Sequence, residues 1–418
     1  MTRAVITGVG TVCSLGVGID ALFDGLAAGR SCIAPIASFD ASQFDTRVAC
    51  EVMPGAPDLN WIESHLQSSK LADYDRVGAW RDRKCGFALV AAQQAWRMAG
   101  CGAGDAGAAL VIALGLEQAF LEDFGPMFGE RGIDWSAPRG EGIRIRSEVD
   151  LSARLITDVL GLNGPVIVNA SACAAGGLAI AHAASLIERG AASVVLCGGA
   201  DSMVNPFGLG GMTRLGAPSP RNEADACRPF DVRRDGLVIG EGAAMFVVES
   251  EARAQQRGAR ILARVLGYGS TQDAYRVTAP RPDGLAAQKA MERALLRSGL
   301  APDAIGYINA HGTGTPLNDV AEARAIRAAF GAHAVPVSSI KGAIGHLMAA
   351  SGAIEAAACL LPFERGLLPG TANHRDKDPL CDLDVIGAQP RRAQVDAVLS
   401  NSFGFGGQNV SLVLGRPQ

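Results

Sequence analysis

The sequence predicts an α/β protein in which most of the sheet is buried. Short runs rich in β-branched residues alternate with longer alanine- and leucine-rich segments of helical spacing. This alternation is typical of sheets covered by helices. Two of the helical segments, 174–187 and 347–361, are apolar on nearly every side, so we expect them to lie between two layers. A weak internal repeat is the third observation.

The predicted strands and helices follow one another along the whole chain. Short apolar runs predict strands at 4–7, 109–114, 166–171, 193–197, 244–248, 305–309, 335–339, 397–400 and 410–414. The spacing of alanine and leucine predicts helices at 83–99, 174–189, 284–299, 320–330 and 347–365. The least regular segment is 121–150, and long loops of this kind usually cover a site or an interface.

A strand-like run, a small-residue turn and an apolar helix occur twice. In each copy the glycine of the turn and the glycine after the helix are 14 residues apart, at 176 and 190 and again at 352 and 366. Alanine-rich helices also resemble one another by chance, which is the alternative to a duplication. A duplication would divide the chain into the halves 1–255 and 256–418.

The composition describes a globular chain with a small net charge. Hydrophobic residues make up 48% of the 418 positions, and the net charge is −4. An acidic chain without a run of Lys and Arg argues against a general nucleic-acid binder. Residues 4–19 carry no charge, but four glycines interrupt them, so we interpret them as a strand and turn rather than a signal segment. We expect a cytoplasmic protein with neither a nucleic-acid nor a membrane partner.

Cys173 stands apart among the ten cysteines. No two cysteines form a Cys-x-x-Cys pair, which argues against a closed metal site. Cys173 directly follows the strand-like run ending at Ser171 and begins a buried helix. A helix N-terminus favours negative charge, so we expect a lowered thiol pKa and a nucleophile. The alternative is a buried structural cysteine.

Two histidines and a lysine also lie where strands give way to helices. His311 precedes Gly-Thr-Gly-Thr-Pro, and His346 opens a buried helix five residues after Lys341. Such junctions are where α/β enzymes place their sites, and neutral imidazoles there could donate hydrogen bonds to a thioester carbonyl that becomes an enolate. The alternatives are two core histidines and an ordinary solvated lysine.

The glycine-rich motif Ser400-Asn-Ser-Phe-Gly-Phe-Gly-Gly407 lies between two predicted strands. Its glycines allow backbone N–H groups to approach a ligand closely. One such N–H and that of Cys173 could form an oxyanion hole. The alternative is a tight turn that carries two core phenylalanines.

Taken together, these elements resemble the β-ketoacyl-acyl-carrier-protein synthases, most closely the synthase II type of the thiolase superfamily. The likeness also covers Arg3-Ala-Val-Ile-Thr-Gly-Val-Gly and Arg228-Pro-Phe-Asp, and thus nearly the whole chain. The resemblance implies a duplicated fold of five layers, α-β-α-β-α, with the cysteine in the first half and the histidines, the lysine and the glycine motif in the second.

The resemblance also implies roles for individual residues in decarboxylative condensation. Cys173 would carry the acyl chain, while His311 and His346 would stabilise the malonyl enolate and Lys341 would support the electrostatics near His346. Phe405 would gate the acyl pocket, and its backbone N–H would complete the oxyanion hole.

Further positions match the family's substrate and ion sites. Thr313 and Thr315 match threonines that bind the pantetheine arm, and Phe403 and Gly406 are further expected substrate contacts. A structural Na⁺ or K⁺ ion is implied at four residues with oxygen-bearing side chains, the type that hard cations prefer: Asn309, Glu355, Ser400 and Asn401. No cofactor is expected for catalysis. The implied partners are an acyl carrier protein with its phosphopantetheine and a second subunit, in a homodimer or in a heterodimer with a homologue.

Two other functions are alternatives to a condensing enzyme. A non-catalytic chain-length-factor-like subunit would lack the nucleophile, whereas this chain has Cys173 and both histidines. A thiolase acting on coenzyme A thioesters would carry a cysteine in its C-terminal motif, where this chain has the glycine motif without one. Departures from the family at Gly314, Gln408 and Tyr275–Thr278 bear on the substrate and not on the reaction class.

Charged residues near the expected floor of the acyl pocket bear on which acyl chains the pocket can accept. The segments 112–120 and 144–150 are normally apolar or small in synthase II proteins, but here they contain Glu117, Arg144, Arg146 and Glu148. Buried carboxylates need partners, so one interpretation is a shorter or more polar pocket, or an interface built for a different partner subunit. The other is that these charges lie in solvent. The first predicts poor elongation of long saturated chains and better use of short, unsaturated or aryl-bearing ones.

Overall fold

The computed structural model describes residues 2–52, 58–65, 68–76, 78–115, 128–129, 132–133 and 150–417. Glu117, Arg144, Arg146 and Glu148, with nearly all of 121–150, lie outside the described residues. No helix in the described part of the chain is long and apolar enough to cross a membrane.

The described α-helices include both predicted central helices. They are Ile19–Ala27 (α1), Leu59–His65 (α2), Leu71–Arg76 (α3), Arg83–Met98 (α4), Leu151–Leu160 (α5), Ala175–Glu188 (α6), Pro206–Arg214 (α7), Glu251–Gln256 (α8), Leu285–Ser298 (α9), Pro316–Phe330 (α10), Lys341–Ile344 (α11), Ser351–Ala358 (α12) and Leu361–Arg365 (α13). The helix expected over 347–365 is divided, because Met348 has a left-handed φ of 45° and Pro362 starts a new turn.

The described β-strands range from two to twelve residues. They are Ala4–Cys13 (β1), Gly16–Val17 (β2), Ala34–Pro35 (β3), Val48–Cys50 (β4), Ala109–Leu114 (β5), Phe128–Gly129 (β6), Gly132–Ile133 (β7), Val166–Asn169 (β8), Val194–Ser202 (β9), Ile239–Ser250 (β10), Ala263–Gln272 (β11), Tyr307–Asn309 (β12), Pro336–Ser338 (β13), Leu367–Leu368 (β14), Asp384–Val385 (β15), Arg391–Arg392 (β16), Ala397–Gly404 (β17) and Gln408–Gly415 (β18).

The main sheet contains the same topology twice. Its strands run in the order β15, β13, β12, β17, β18, β11, β1, β10, β9, β5, β8. Outward from β1, the first half has the strands β1, β10, β9, β5 and β8, which are the first, fifth, fourth, second and third of these five along the chain. Outward from β11, the second half has β11, β18, β17, β12 and β13, which follow the same order of first, fifth, fourth, second and third. The pairings also match in direction, since the first two in each half are antiparallel and the next two parallel. The expected duplication is therefore confirmed, while the division near residue 255, inside α8, stays a prediction.

Among the described residues, the sheets of the two halves pair along one short seam. β1 and β11 pair over three residues each, 4–6 with 263–265, and beyond the seam the two sheets separate. The helices α6 and α12 fill the space between them, and α4 with α5 and α9 with α10 cover the outer faces. Alternate residues of β5 accordingly belong to different cores, Leu110 and Ile112 under α4 and Val111 and Ala113 under α6. The five-layer fold is confirmed.

Glycine allows the two central helices to touch. A Cβ atom on Gly176 would lie 2.6 Å from the backbone nitrogen of Ala353, and one on Gly352 would lie 2.5 Å from that of Gly177. Real Cβ atoms do not approach backbone so closely, so the small-residue turns that mark the repeat set the distance between α6 and α12.

We predict that Gly352→Ala lowers the thermal unfolding midpoint, because its methyl group would also meet Ser402 Oγ at 2.5 Å. Overpacking of this kind costs about 1–3 kcal/mol. The matched control is Gly211→Ala in α7, where a Cβ would meet no atom within 4 Å and alanine favours the helix. An unchanged midpoint for Gly352→Ala beside that control would contradict the close-packing argument.

Candidate active site

A cavity of about 390 Å³ brings together residues from both halves of the chain. Its wall includes Cys173 from the first half and His311 and His346 from the second. It also includes the expected substrate residues Thr313, Thr315, Phe403 and Phe405. Lys341 and the four candidate ion ligands lie behind this wall, all of them buried.

Cys173 lies on a sharp turn between β8 and α6. The preceding residue, Ala172, has a φ of 46°, a left-handed conformation that costs energy for a residue with a side chain. The turn directs Cys173 toward the glycine motif, where the backbone N–H of Phe405 is close enough to the thiol to lower its pKa. Gly404 lies against the backbone nitrogen of Cys173, since a Cβ there would be 3.1 Å from that atom.

The expected lowering of the thiol pKa is wrong. Burial raises the pKa of Cys173 to about 12, and this exceeds the lowering by Lys341 and by the Phe405 N–H. Desolvation disfavours the thiolate in an apolar pocket. The resting residue is therefore a thiol.

His311 is a neutral ring with its proton on Nε2. Burial, with the charges of Lys341 and His346, holds its pKa well below the usual 6.5. The Lys341 ammonium group lies 3.3 Å from His311 Nδ1. Because an ammonium group can only donate, Nδ1 accepts and Nε2 carries the proton.

His346 has the same tautomer for a different reason. Burial and the charge of Lys341 hold its pKa well below 6.5. The backbone N–H of Met348 donates to His346 Nδ1 at 3.1 Å, and Ser351 Oγ lies 2.8 Å from the same nitrogen. A backbone N–H can only donate, so the proton of this ring is also on Nε2. The two rings meet edge to face with their centroids 5.3 Å apart.

Lys341 is a buried cation rather than the solvated lysine of the alternative. Its side chain is 1% exposed, donates to the carbonyl oxygen of His311 at 2.6 Å and forms an ion pair with Glu355. Burial raises the pKa of Glu355 to about 7, although Lys341 opposes this shift. The ammonium group thus touches His311 directly, while the sequence associated it with His346.

Two carboxylates that the sequence analysis missed shape the loop after β12. Glu322 accepts the backbone N–H groups of His311 and Gly312, both at 2.8 Å. Asp319 accepts those of Thr313 at 3.0 Å and Gly314 at 3.2 Å. Both residues lie on α10, three positions apart on one face, and both are buried. The sequence signal that could have identified them is two acidic residues three positions apart, which lie on the same face of a helix.

The threonines and the glycine motif are placed around the cavity. Thr313 Oγ1 lies 2.8 Å from Thr315 Oγ1, and Thr315 caps α10. Phe403 packs against His311 with ring centroids 5.7 Å apart. Gly406 is on the exposed tip of the turn, where its N–H donates to Val277 at 2.6 Å and its carbonyl accepts from Gln272. A substrate contact of Gly406 stays a prediction.

The four candidate ion ligands are buried, and two of them have acceptor oxygens without a hydrogen-bond partner among the described residues. Asn309 Oδ1 and Glu355 Oε2 are buried without a hydrogen-bond partner among the described residues. Asn309 donates to Ser400 Oγ at 3.4 Å. The side chain of Asn401 is engaged elsewhere, because its oxygen accepts from Ser411 at 2.7 Å. Two orphaned acceptor oxygens fit a hard monovalent cation; within the described ranges, no group of three or more His, Cys, Asp and Glu residues could hold a metal ion.

Comparisons with known proteins agree with this arrangement. The model of the β-ketoacyl synthase N-terminal domain matches residues 1–254, and that of the C-terminal domain matches residues 262–375. The 3-oxoacyl-[acyl-carrier-protein] synthase 2 of Synechocystis is 39% identical over 100% of this chain and 98% of its own length.

Two solved structures superpose over the whole of both chains. One is a type II polyketide ketosynthase in complex with its acyl-carrier protein, with a TM-score of 0.87 and 29% identity. The other is the ishigamide ketosynthase/chain length factor, with a TM-score of 0.86 and 34% identity. Two family models cover both halves of the chain, and one relative is 39% identical over the whole of this chain. The cavity lined by one cysteine and two histidines agrees with them, so the chain belongs to the β-ketoacyl synthase family.

Proposed function

We propose that this protein is a condensing acyltransferase that joins an acyl chain, held on Cys173, to malonyl-acyl-carrier protein with loss of CO₂, giving a β-ketoacyl-acyl-carrier protein. The observation that carries the proposal is the convergence of one thiol and two Nε2–H imidazoles on a single cavity. Its relatives include a 3-oxoacyl-carrier-protein synthase and a type II polyketide ketosynthase. The product enters either fatty acid or specialised polyketide or polyene synthesis.

The first step transfers the acyl group to Cys173. The sulfur attacks the thioester carbonyl of the donor, and the backbone N–H groups of Cys173 and Phe405 receive the developing oxyanion. The carrier's pantetheine sulfur then leaves and takes up the proton that the Cys173 thiol loses. One thiol and one thioester are exchanged for another such pair, so this step consumes no proton overall.

The second step forms the carbon nucleophile. With malonyl-carrier protein in the cavity, the Nε2–H groups of His311 and His346 donate to its thioester oxygen. Cleavage of the bond to the carboxylate releases CO₂ and leaves its electron pair as an enolate on that oxygen. Neutral donors suit this step because they stabilise the forming charge without neutralising the malonyl carboxylate beforehand.

The third step forms the product. The enolate carbon attacks the acyl-Cys173 carbonyl, and the same oxyanion hole stabilises the tetrahedral intermediate. When the intermediate collapses, the C–S bond breaks and the Cys173 sulfur leaves. Taking up one proton from solvent restores the thiol, and this is the single proton that the overall reaction consumes, because decarboxylation left its electron pair in the enolate.

The remaining cavity residues bind the carrier arm and the acyl chain. Thr313 and Thr315 hydrogen-bond the amide-containing pantetheine arm, and Phe403 and Phe405 border the acyl chain, with Phe405 as its gate. A structural Na⁺ or K⁺ ion would be held by Asn309, Glu355 and Ser400, with Asn401 as the fourth expected ligand, and it would supply positive charge to the two orphaned oxygens.

An exposed apolar edge strand supports a second subunit. β8 is the last strand of the main sheet, and Val166 and Ile167 on it are 48% and 36% exposed. Such an edge is a template for pairing with another chain. We propose a homodimer through β8, with a homologous chain-length-factor-like subunit as the alternative occupant. The cytoplasmic location stays a prediction from the sequence.

We predict that Cys173 is the acylated residue. Incubation with an acyl-carrier protein should add one acyl group to the peptide that contains Cys173, measured by mass spectrometry. Cys173→Ala should abolish this labelling, while Cys173→Gln should lose condensation and keep malonyl decarboxylation, because the amide mimics the acyl-enzyme. Acylation of another cysteine in Cys173→Ala would refute the assignment.

We predict that His311→Ala and His346→Ala each slow malonyl decarboxylation by about 100- to 1000-fold, while Cys173 acylation changes much less. Because burial holds both histidine pKa values well below 6.5, the neutral rings persist as the pH falls through that value. The imidazole NMR signals of both histidines should therefore not titrate between about pH 8 and pH 6, whereas protonation of Glu355, whose pKa burial raises to about 7, would change the decarboxylation rate in that range. Titration of either ring near pH 6.5, or a normal decarboxylation rate for His346→Ala, is the contrary result.

We predict better elongation of short, unsaturated or aryl-bearing acyl chains than of long saturated ones. The reason is the charge of Glu117 and Glu148 in segments that normally receive an alkyl chain. Elongation assays with hexadecanoyl-, hexanoyl- and aryl-loaded carrier proteins compare the substrates directly. If the hexadecanoyl-carrier protein is elongated best, the prediction is wrong and the protein is an ordinary fatty-acid synthase II.

A further inference from the structure

Asp201 is a buried carboxylate that the proposed mechanism does not use. It lies near the end of β9, is 1% exposed, and its Oδ2 accepts the backbone N–H of Ala349 at 2.8 Å. Ala349 belongs to the turn between His346 and α12. A strand of the first half thus reaches the turn that carries a histidine of the second half.

The residue between these contacts has a strained backbone. Met348 has a φ of 45°, which residues with side chains rarely adopt. Its own N–H donates to His346 Nδ1 at 3.1 Å, and the next N–H, that of Ala349, donates to Asp201. Two hydrogen bonds therefore flank the one strained residue, and releasing either would free Met348 to return to an ordinary conformation.

A buried lysine interacts electrostatically with Asp201. Lys84, in the first turn of α4, is 1% exposed and forms an ion pair with Asp82 at 2.8 Å. Burial alone would lower the pKa of Lys84, but the charges of Asp82 and Asp201 raise it above its ordinary value. Asp201 thus contributes to a buried polar cluster at the start of α4 as well as to the turn before α12.

We infer that Asp201 is a positioning residue for His346: by holding the Ala349 N–H it keeps Met348 in the left-handed conformation that fixes the Nε2–H tautomer of His346. Asp201 does not act on the substrate. The expected effect of Asp201 on the rate rests on the proposed role of His346 in decarboxylation. The expected effect of Asp201 on the His346 tautomer does not depend on that role.

The activity test compares two half-reactions in Asp201 variants. Asp201→Ala should reduce malonyl decarboxylation, measured in the Cys173→Gln background, by about 10- to 100-fold. Acylation of Cys173, measured with the cysteine present, should not fall, since it does not use the His346 donor and the charge of Asp201 raises the pKa of the Cys173 thiol. Asp201→Asn should stay close to the parent, because its amide oxygen can still accept the Ala349 N–H. Equal losses in both half-reactions, or no loss of decarboxylation, would overturn the inference.

A double-mutant cycle separates positioning from general damage. Glycine adopts a positive φ without strain, so in a Met348→Gly background Asp201→Ala should cost decarboxylation only a few-fold. An undiminished effect in that background would contradict the inference. If Asp201→Ala does not fold, Asp201→Ser, whose shorter side chain withdraws the acceptor, replaces it in the same cycle. Glu249→Gln is the matched control, since it alters another fully buried carboxylate and should lower thermal stability without changing the ratio of the half-reactions.

A spectroscopic measurement tests the tautomer directly. Long-range ¹H–¹⁵N spectra of histidine-labelled protein, with the His346 signals assigned from His346→Gln, should show Nε2–H in the parent and a mixture of tautomers in Asp201→Ala. An unchanged His346 signal would overturn the inference even if decarboxylation falls. A changed signal beside normal decarboxylation in His346→Ala would instead refute the proposed function and leave the positioning role intact.

Discussion

The buried ammonium group of Lys341 is the interaction on which the chemistry of the cavity depends. Its charge is balanced inside the protein by Glu355 and the carbonyl oxygen of His311 rather than by water. Because it can only donate, it makes His311 Nδ1 an acceptor, and its field helps to keep both imidazoles neutral. It also partly offsets the burial that raises the pKa of Cys173. Removing one member of such a buried set would leave an uncompensated charge in the core.

The duplicated topology explains why the catalytic candidates converge. Cys173 follows β8, and Lys341 and His346 follow β13, so the corresponding third strand of each half leads to one part of the site. His311 follows β12, and the β17–β18 hairpin carries the glycine motif. The parallel strands of each half therefore deliver their loops to a common edge, and the central layer brings the two edges together.

How much of this the sequence could predict differs from residue to residue. Cys173, His311 and His346 stand out locally because each lies where a strand gives way to a helix, but only their order together with the glycine motif, through the resemblance to the synthase family, favours them over core residues. The sign of the Cys173 pKa shift could not be found in this way, because the helix start is visible in the sequence while the apolar walls come from distant segments. Asp319 and Glu322 were missed since charged residues on a helix usually face solvent, and only the fold turns these two toward backbone N–H groups.

The position of α6 between two sheets has a consequence for how the chain folds as it is synthesised. This helix is complete once residue 188 has emerged, but its partners α12, β17 and β18 begin only at residue 351 and beyond. Its apolar surface lacks these partners until they too have been synthesised, and exposed surface of this kind promotes aggregation during folding. The N-terminal half therefore cannot bury all of its apolar surface without the C-terminal half. Production of the protein depends on chaperones that protect the nascent chain until the second half has folded onto the first.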